Sequence, residues 1–152
     1  MSCRTAVYQW QSVVATHLPH LSKPQAAVLA LWSLGMVLAR SCALTAVTLV
    51  VATTFGRKEA TVRQQLREFC YEATAKAGQQ RVALVVEDCF VPLLRWVVSW
   101  WQGTHLALAL DATTLGQRFV VLAISVLYRG CAIPVAWCIL PAQTKHAWRG
   151  EW

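Results

Sequence analysis

Read for periodicity, the 152 residues divide into an all-helical first half and an antiparallel β-meander, an α+β chain. Two observations set that class. Apolar residues keep helical spacing through residues 1–80, and after Thr104 the period drops to two. Short turn signals, "LGQR" at 115–118 and "RG" at 129–130, then separate three strand-like runs, and two short connections in succession call for antiparallel pairing. The expected organisation is a helical region over 1–80, then a second region over 81–152 made of one helix and the meander.

Residues 6–18 read as a short helix that stops before Pro19. "SKPQAAVLALWSLGMVLARS" opens with Ser22 as N-cap and Pro24 in the first turn. It is apolar around most of its circumference, which places it at the centre of the helical region. "ALTAVTLVVATTFG" continues as a second apolar helix closed by Gly56. "RKEATVRQQLREFCYEATAKAG" is amphipathic, helical over 58–74 and ended by Gly78. Projected at 100° per residue, Val62, Leu66 and Phe69 share one face, and Ala60, Arg63, Gln64, Arg67 and Tyr71 occupy the other. The next helix, 89–102, carries Trp96, Trp100 and Trp101, has Pro92 in its first turn and stops at Gly103.

The first strand is expected from Thr104 to Asp111, with His105, Ala107, Ala109 and Asp111 on one face and Leu106, Leu108 and Leu110 on the other. The second and third strands are expected over 118–127 and 131–140, and "KHAWRGEW" reads as the lead into a further helix. A three-stranded sheet with one covering helix leaves one face bare.

Composition narrows the functional classes. The chain is 57% hydrophobic and 14% charged, against about 45–50% and 25% in ordinary globular domains. The net charge of +7 is unevenly spread: residues 1–55 contain Arg4, Lys23 and Arg40 and no acid, and 56–81 contain six bases and three acids. Residues 82–152 contain five bases and four acids. A basic surplus in the N-terminal half suggests a partner bearing phosphates, either nucleic acid or an anionic membrane surface.

Cys3, Cys42, Cys70, Cys89, Cys131 and Cys138 form no CxxC pair, which removes the usual zinc and redox spacings. They read as reduced core residues of a cytoplasmic protein, because "MSCRTAVYQWQS" lacks the pattern of a secretory leader. Arg40 splits the apolar run 26–55, and Arg129 with Gly130 splits 119–141. Neither run offers the roughly 20 uninterrupted apolar residues of a spanning helix. A membrane protein remains the alternative on hydrophobicity alone.

Two constellations could carry chemistry. In the first, an apolar helix, a short turn at Phe55–Gly56 and an amphipathic helix fit a helix-turn-helix. Arg63, Gln64 and Arg67 would face base edges, with Arg57 and Lys58 on phosphates. The bland reading is a solvated helix face, since Arg and Gln are good helix formers. The second is Asp111, a lone carboxylate closing an apolar strand. Burying it unpaired costs several kcal/mol, so a Mg²⁺ ion shared with other carboxylates is one compensation and an Asx-type turn in "DATTLG" the other. His105 and His146 beside tryptophan read as packing, and the tryptophans as core and interface residues more than base-stacking platforms.

Taken in chain order, the two constellations resemble the DDE transposases of bacterial insertion sequences. "RKEATVRQQLREF" is similar to their N-terminal DNA-binding part, and "LALALDATTLGQRFVVLAISVLYRGCAIPVAWCIL" to the opening of their RNase H-like core. "KHAWRGEW" resembles the lead into the helix that follows. The resemblance implies catalysis by an Asp-Asp-Glu triad with two Mg²⁺ ions, cutting and joining DNA at element ends. Of that triad only the first acid carries over, to Asp111. The family's second Asp and its Glu lie farther downstream, and neither Glu87, Asp88 nor Glu151 sits where they belong. On this reading the chain is an N-terminal transposase fragment that binds DNA and is catalytically incomplete. A stand-alone DNA-binding regulator, in which the strands form a homodimer sheet, is the second reading.

Overall fold

The computed structural model describes residues 3–76 and 82–142 of the chain, with the side chains of Cys3 and Arg4 excepted. The expected stop at Gly78, the two residues His146 and Glu151, and the whole of "KHAWRGEW" lie outside that range. The architecture is α+β, five helices followed by a three-stranded antiparallel sheet. The chain forms two compact units, dividing between Val86 and Glu87.

The first unit contains Cys3–His17 (α1), Lys23–Ala39 (α2), Leu44–Phe55 (α3) and Glu59–Phe69 (α4). Helix α1 begins a turn earlier than its apolar pattern suggests, and its Trp10 indole donates to Ser33 Oγ on α2 at 2.8 Å. Helix α2 starts on a capping box: Gln25 N–H donates to Ser22 Oγ and Ser22 N–H donates to Gln25 Oε1 at 2.9 Å. Two of the four unpaired donors of a helix start are satisfied in this way. At the far end Arg40 adopts a left-handed φ of 48°, and the chain turns by 97° into α3.

Helix α3 is rich in β-branched residues, which disfavour helix in isolation. Burial overrides that preference. Val47, Thr48 and Val51 are fully buried, and Val47 and Val51 pack with Leu31 of α2 and with Val62 and Leu66 of α4 in one core. Gly56 ends α3 at φ 63°, the left-handed geometry that glycine adopts without steric cost, and Arg57 N–H bonds back to Ala52 O at 2.9 Å. Residues 56–58 then lead directly into α4.

Helix α4 is shorter than the expected 58–74. It stops at Phe69, and after a bend only a single 3-10 turn forms, at Ala73–Ala75. The buried stripe explains this. Val62 and Leu66 are completely buried and Phe69 meets Trp32 edge to face, but the next positions on that stripe, Cys70 and Ala73, offer little apolar area. Short helices depend on such packing more than on propensity.

The second unit opens with a 3-10 turn, Glu87–Cys89, running into Phe90–Ser99 (α5), with Pro92 in the first turn as expected. Helix α5 ends before the expected Gln102. Strands Leu108–Leu115 (β1), Phe119–Tyr128 (β2) and Cys131–Pro141 (β3) follow, with β2 in the middle. The β2–β3 connection is the two-residue turn Arg129–Gly130, both at positive φ (48° and 80°), which matches the right-handed twist of the strands it joins.

Strand β1 departs from expectation. Residues 104–107 are outside it, and "DATT" continues the strand instead of turning; the turn falls at Gly116–Arg118, with Gly116 at φ 60°. Val135 is bulged out of the β2–β3 ladder, where Ile124 faces Ala136 and Ser125 faces Pro134. Pro134 lacks an N–H, and a bulge is one of the few places in a sheet that tolerates it. The core of this unit is small: Leu122, Val126 and Val135 are buried, with Ser125 buried on the face of β2 opposite Leu122 and Val126. Phe90 of α5 packs edge to face on Trp137 of β3 at 4.9 Å.

Candidate nucleic-acid interface

The basic residues singled out in the sequence lie along the turn 56–58 and the outer side of α4. Their surroundings divide them into two groups. Arg57 is half-buried, and its guanidinium donates to Gln65 Oε1 at 2.7 Å, so it braces the start of α4 against the middle of the same helix. Arg63 pairs with Glu59 one turn earlier at 3.2 Å, both side chains open to solvent. Gln64 donates to Glu68 one turn later at 2.8 Å. Exposed pairs of this spacing contribute about 0.3–0.5 kcal/mol each, so they do not lock the side chains in place.

Lys58 and Arg67 form the second group. Both are exposed, and neither side chain has a hydrogen bond or ion pair among the described residues. Arg67 in the last turn is favourable to the helix dipole. Lys58 is not: it is the N-cap residue, makes no side-chain cap and puts a cation at the positive end of the helix. The stability of α4 therefore does not account for a lysine at position 58.

The partners Glu59 and Glu68 had not been singled out from the sequence. Their signal was present as the i,i+4 spacings 59/63 and 64/68. They bring negative charge onto the face, leaving 57–69 with four bases and two acids.

The structure changes the meaning of Asp111. It lies mid-strand on β1, at the edge of the sheet, and its side chain is exposed. The premise of a buried carboxylate in need of compensation is overturned. Across the sheet it faces Ala123 of β2, which in turn faces Trp137 of β3, so these three share one face. Among the described residues no three His, Cys, Asp or Glu side chains gather as a metal site. Mg²⁺ takes near-octahedral oxygen coordination and two-metal chemistry shares carboxylates between ions. The acids of these described residues do not fit that requirement.

His105 is exposed, its Nδ1 2.9 Å from Thr104 Oγ1, and holds no place in an acidic cluster. Cys42, Cys70, Cys89, Cys131 and Cys138 form no disulfide, but they are not the core residues expected: Cys42, Cys70 and Cys131 are exposed and Cys89 and Cys138 half-buried, and burial, reinforced by Asp88 and Glu87, holds the Cys89 thiol above its usual range. No single described helix is long and apolar enough to cross a membrane; α2 and α3 reach that hydropathy only together, across their 97° bend.

No family model, curated protein or solved structure matches this chain. What the fold defines is a class: an α+β chain with a basic-faced helical unit ahead of a three-stranded antiparallel sheet.

Proposed function

We propose that the chain is of DDE-transposase type, joining a helical DNA-binding region to the start of an RNase H-like core and acting in the cytoplasm, and that α4 with the turn before it is its duplex-binding element. The single observation that carries this reading is the exposed pair Lys58 and Arg67, one at each end of a helix whose inner face is locked into the core by Val62 and Leu66. A helix presented this way, after a glycine turn and an apolar helix, suits a helix-turn-helix reader. Arg63 and Gln64 lie between the two cations and can exchange their intrahelical partners for DNA at a cost of a few tenths of a kcal/mol. Arg57 holds the turn in shape.

The order of elements supports the transposase side of the proposal, with Asp111 as the first acid of the Asp-Asp-Glu triad on the first strand of an RNase H-like core. In the complete enzyme Mg²⁺ would be held by Asp111 together with acids supplied from elsewhere. The isolation of Asp111 from other described carboxylates equally suits the second reading, a DNA-binding regulator. Sequencing the DNA downstream of the reading frame separates the two: a continuation bearing a second Asp and a Glu supports the transposase.

The interface itself is tested by fluorescence anisotropy of duplex DNA titrated with the chain across a range of salt. Replacing Lys58 and Arg67 with Ala should weaken binding on every sequence and lower the salt slope by about two, one per lost phosphate contact. Unchanged retention at all salt concentrations would exclude α4 as the contact.

A further inference from the structure

The two edges of the sheet are built differently. The β3 edge carries Pro134, Pro141 and the Val135 bulge, devices that block the addition of another strand. The β1 edge has none of them. It is eight residues without proline or bulge, and Leu108, Leu110 and Leu115 are 53%, 63% and 60% exposed.

The hydrogen-bond phase shows what that edge offers. Leu127 N–H donates to Ala107 O at 2.9 Å, which fixes Ala107, Ala109, Asp111, Thr113 and Leu115 as the residues bonded to β2. The bond from Ala142 N–H to Arg118 O sets the opposite phase on the β3 side of β2, in agreement. Leu108, Leu110, Ala112 and Thr114 therefore turn their N–H and C=O groups outward from β1.

We propose that this edge pairs antiparallel with β1 of a second copy of the chain, about a two-fold axis at Ala112, giving a continuous sheet across the dimer. Hydrogen-bonded pairs must match outward residues, so the axis can pass through Leu110 or Ala112 at such a pair, or through Asp111 or Thr113 between pairs. An axis at Asp111 sets two carboxylates directly opposite on one face, which is repulsive. An axis at Leu110 pairs only 108–112, and one at Thr113 only 111–115. An axis at Ala112 pairs 109–115, bonds Leu110 to Thr114 of the second copy and Ala112 to its own counterpart, and sets Asp111 opposite Thr113. The threonine hydroxyl then donates to the carboxylate, once from each copy. Asp111 thus selects the register.

Sedimentation equilibrium of the full chain tests the proposal. The expected result is a concentration-dependent dimer, with the dissociation constant raised about tenfold or more by Thr113→Asp, which opposes two carboxylates in each half. Ala112→Pro should also separate the copies while sparing the ladder to β2, because the N–H it removes points outward. Thr113 is exposed, so its variant keeps the fold even if the proline variant does not. Ile139→Lys on the β3 side should leave the dimer unchanged. A monomeric wild-type chain, association indifferent to Thr113→Asp, or association lost equally with Ile139→Lys would each overturn the proposal.

Discussion

Gly35 lies where α2 crosses α3, and a single methyl group there tests how tightly that crossing positions α4. A Cβ built on Gly35 would stand 2.7 Å from Val51 Cγ2 and 2.8 Å from Val47 Cγ1. Unstrained carbon pairs sit about 3.5–4.0 Å apart, so both contacts must open by close to an ångström. Neither valine can swing aside, since both are completely buried and a helical valine has essentially one χ1 rotamer. Relief must come from separating the helices. Alanine gains about 1 kcal/mol over glycine in helix propensity, and overpacking a filled core costs about 1–3 kcal/mol. The balance for Gly35→Ala is a loss of about 1 kcal/mol, falling on the crossing that sets α3 and, through it, α4. Urea unfolding followed by helical circular dichroism measures it, and a double-mutant cycle with Val51→Ala should recover part of the loss as a coupling of about 1 kcal/mol. A Gly35→Ala chain more stable than wild type by the propensity gain alone would refute the steric account.

Two further outcomes follow from the site geometry. Cys89 should be alkylated more slowly than the exposed Cys42 and Cys131, its rate climbing only at pH above the ordinary thiol range, because burial and then Asp88 and Glu87 disfavour the thiolate; peptide mapping after timed iodoacetamide treatment reads this, and equal rates at neutral pH would contradict it. Purified chain with Mg²⁺ should leave supercoiled plasmid intact, since a lone carboxylate cannot share two ions; nicking that disappears with Asp111→Ala would show that further acids reach it.

Much of the helical unit was legible because its signals are local. Ser22 and Pro24 spell a helix start whatever surrounds them, Gly56 spells a helix end, and the Val62–Leu66 spacing marks the buried stripe. The Arg129–Gly130 turn was equally plain, because a two-residue hairpin leaves few backbone choices. The failures are places where packing decides. Nothing in "CYEATAKAG" forbids helix, and α4 ends at Phe69 because Cys70 and Ala73 bring too little to bury. Helix α5 stops at Ser99 although Trp100 and Trp101 could have continued it, and Trp101 instead donates its indole N–H to His105 O at 3.0 Å. The alternation of Leu106, Leu108 and Leu110 is the same in an edge strand as in a central one, so the burial of Asp111 could not be read from it. The acid partners of Arg63 and Gln64 were readable at four-residue spacing, and they moderate the charge of the face.

The edge position of Asp111 also constrains where catalytic partners could come from. On its own face the positions across the sheet are Ala123 and then Trp137, whose side chains supply no oxygen ligand for Mg²⁺. Its neighbours along the strand on that face, Ala109 and Thr113, supply no carboxylate either. Any acid completing a metal centre must therefore approach over the face or along the free side of β1. The free side is also where a second copy would pair, with Thr113 of that copy opposite Asp111. A metal centre built from the free side and the β1 dimer draw on the same outward groups and exclude one another at a given strand. A complete transposase core that uses this edge should thus be unable to form the β1 dimer, while a stand-alone regulator should form it freely.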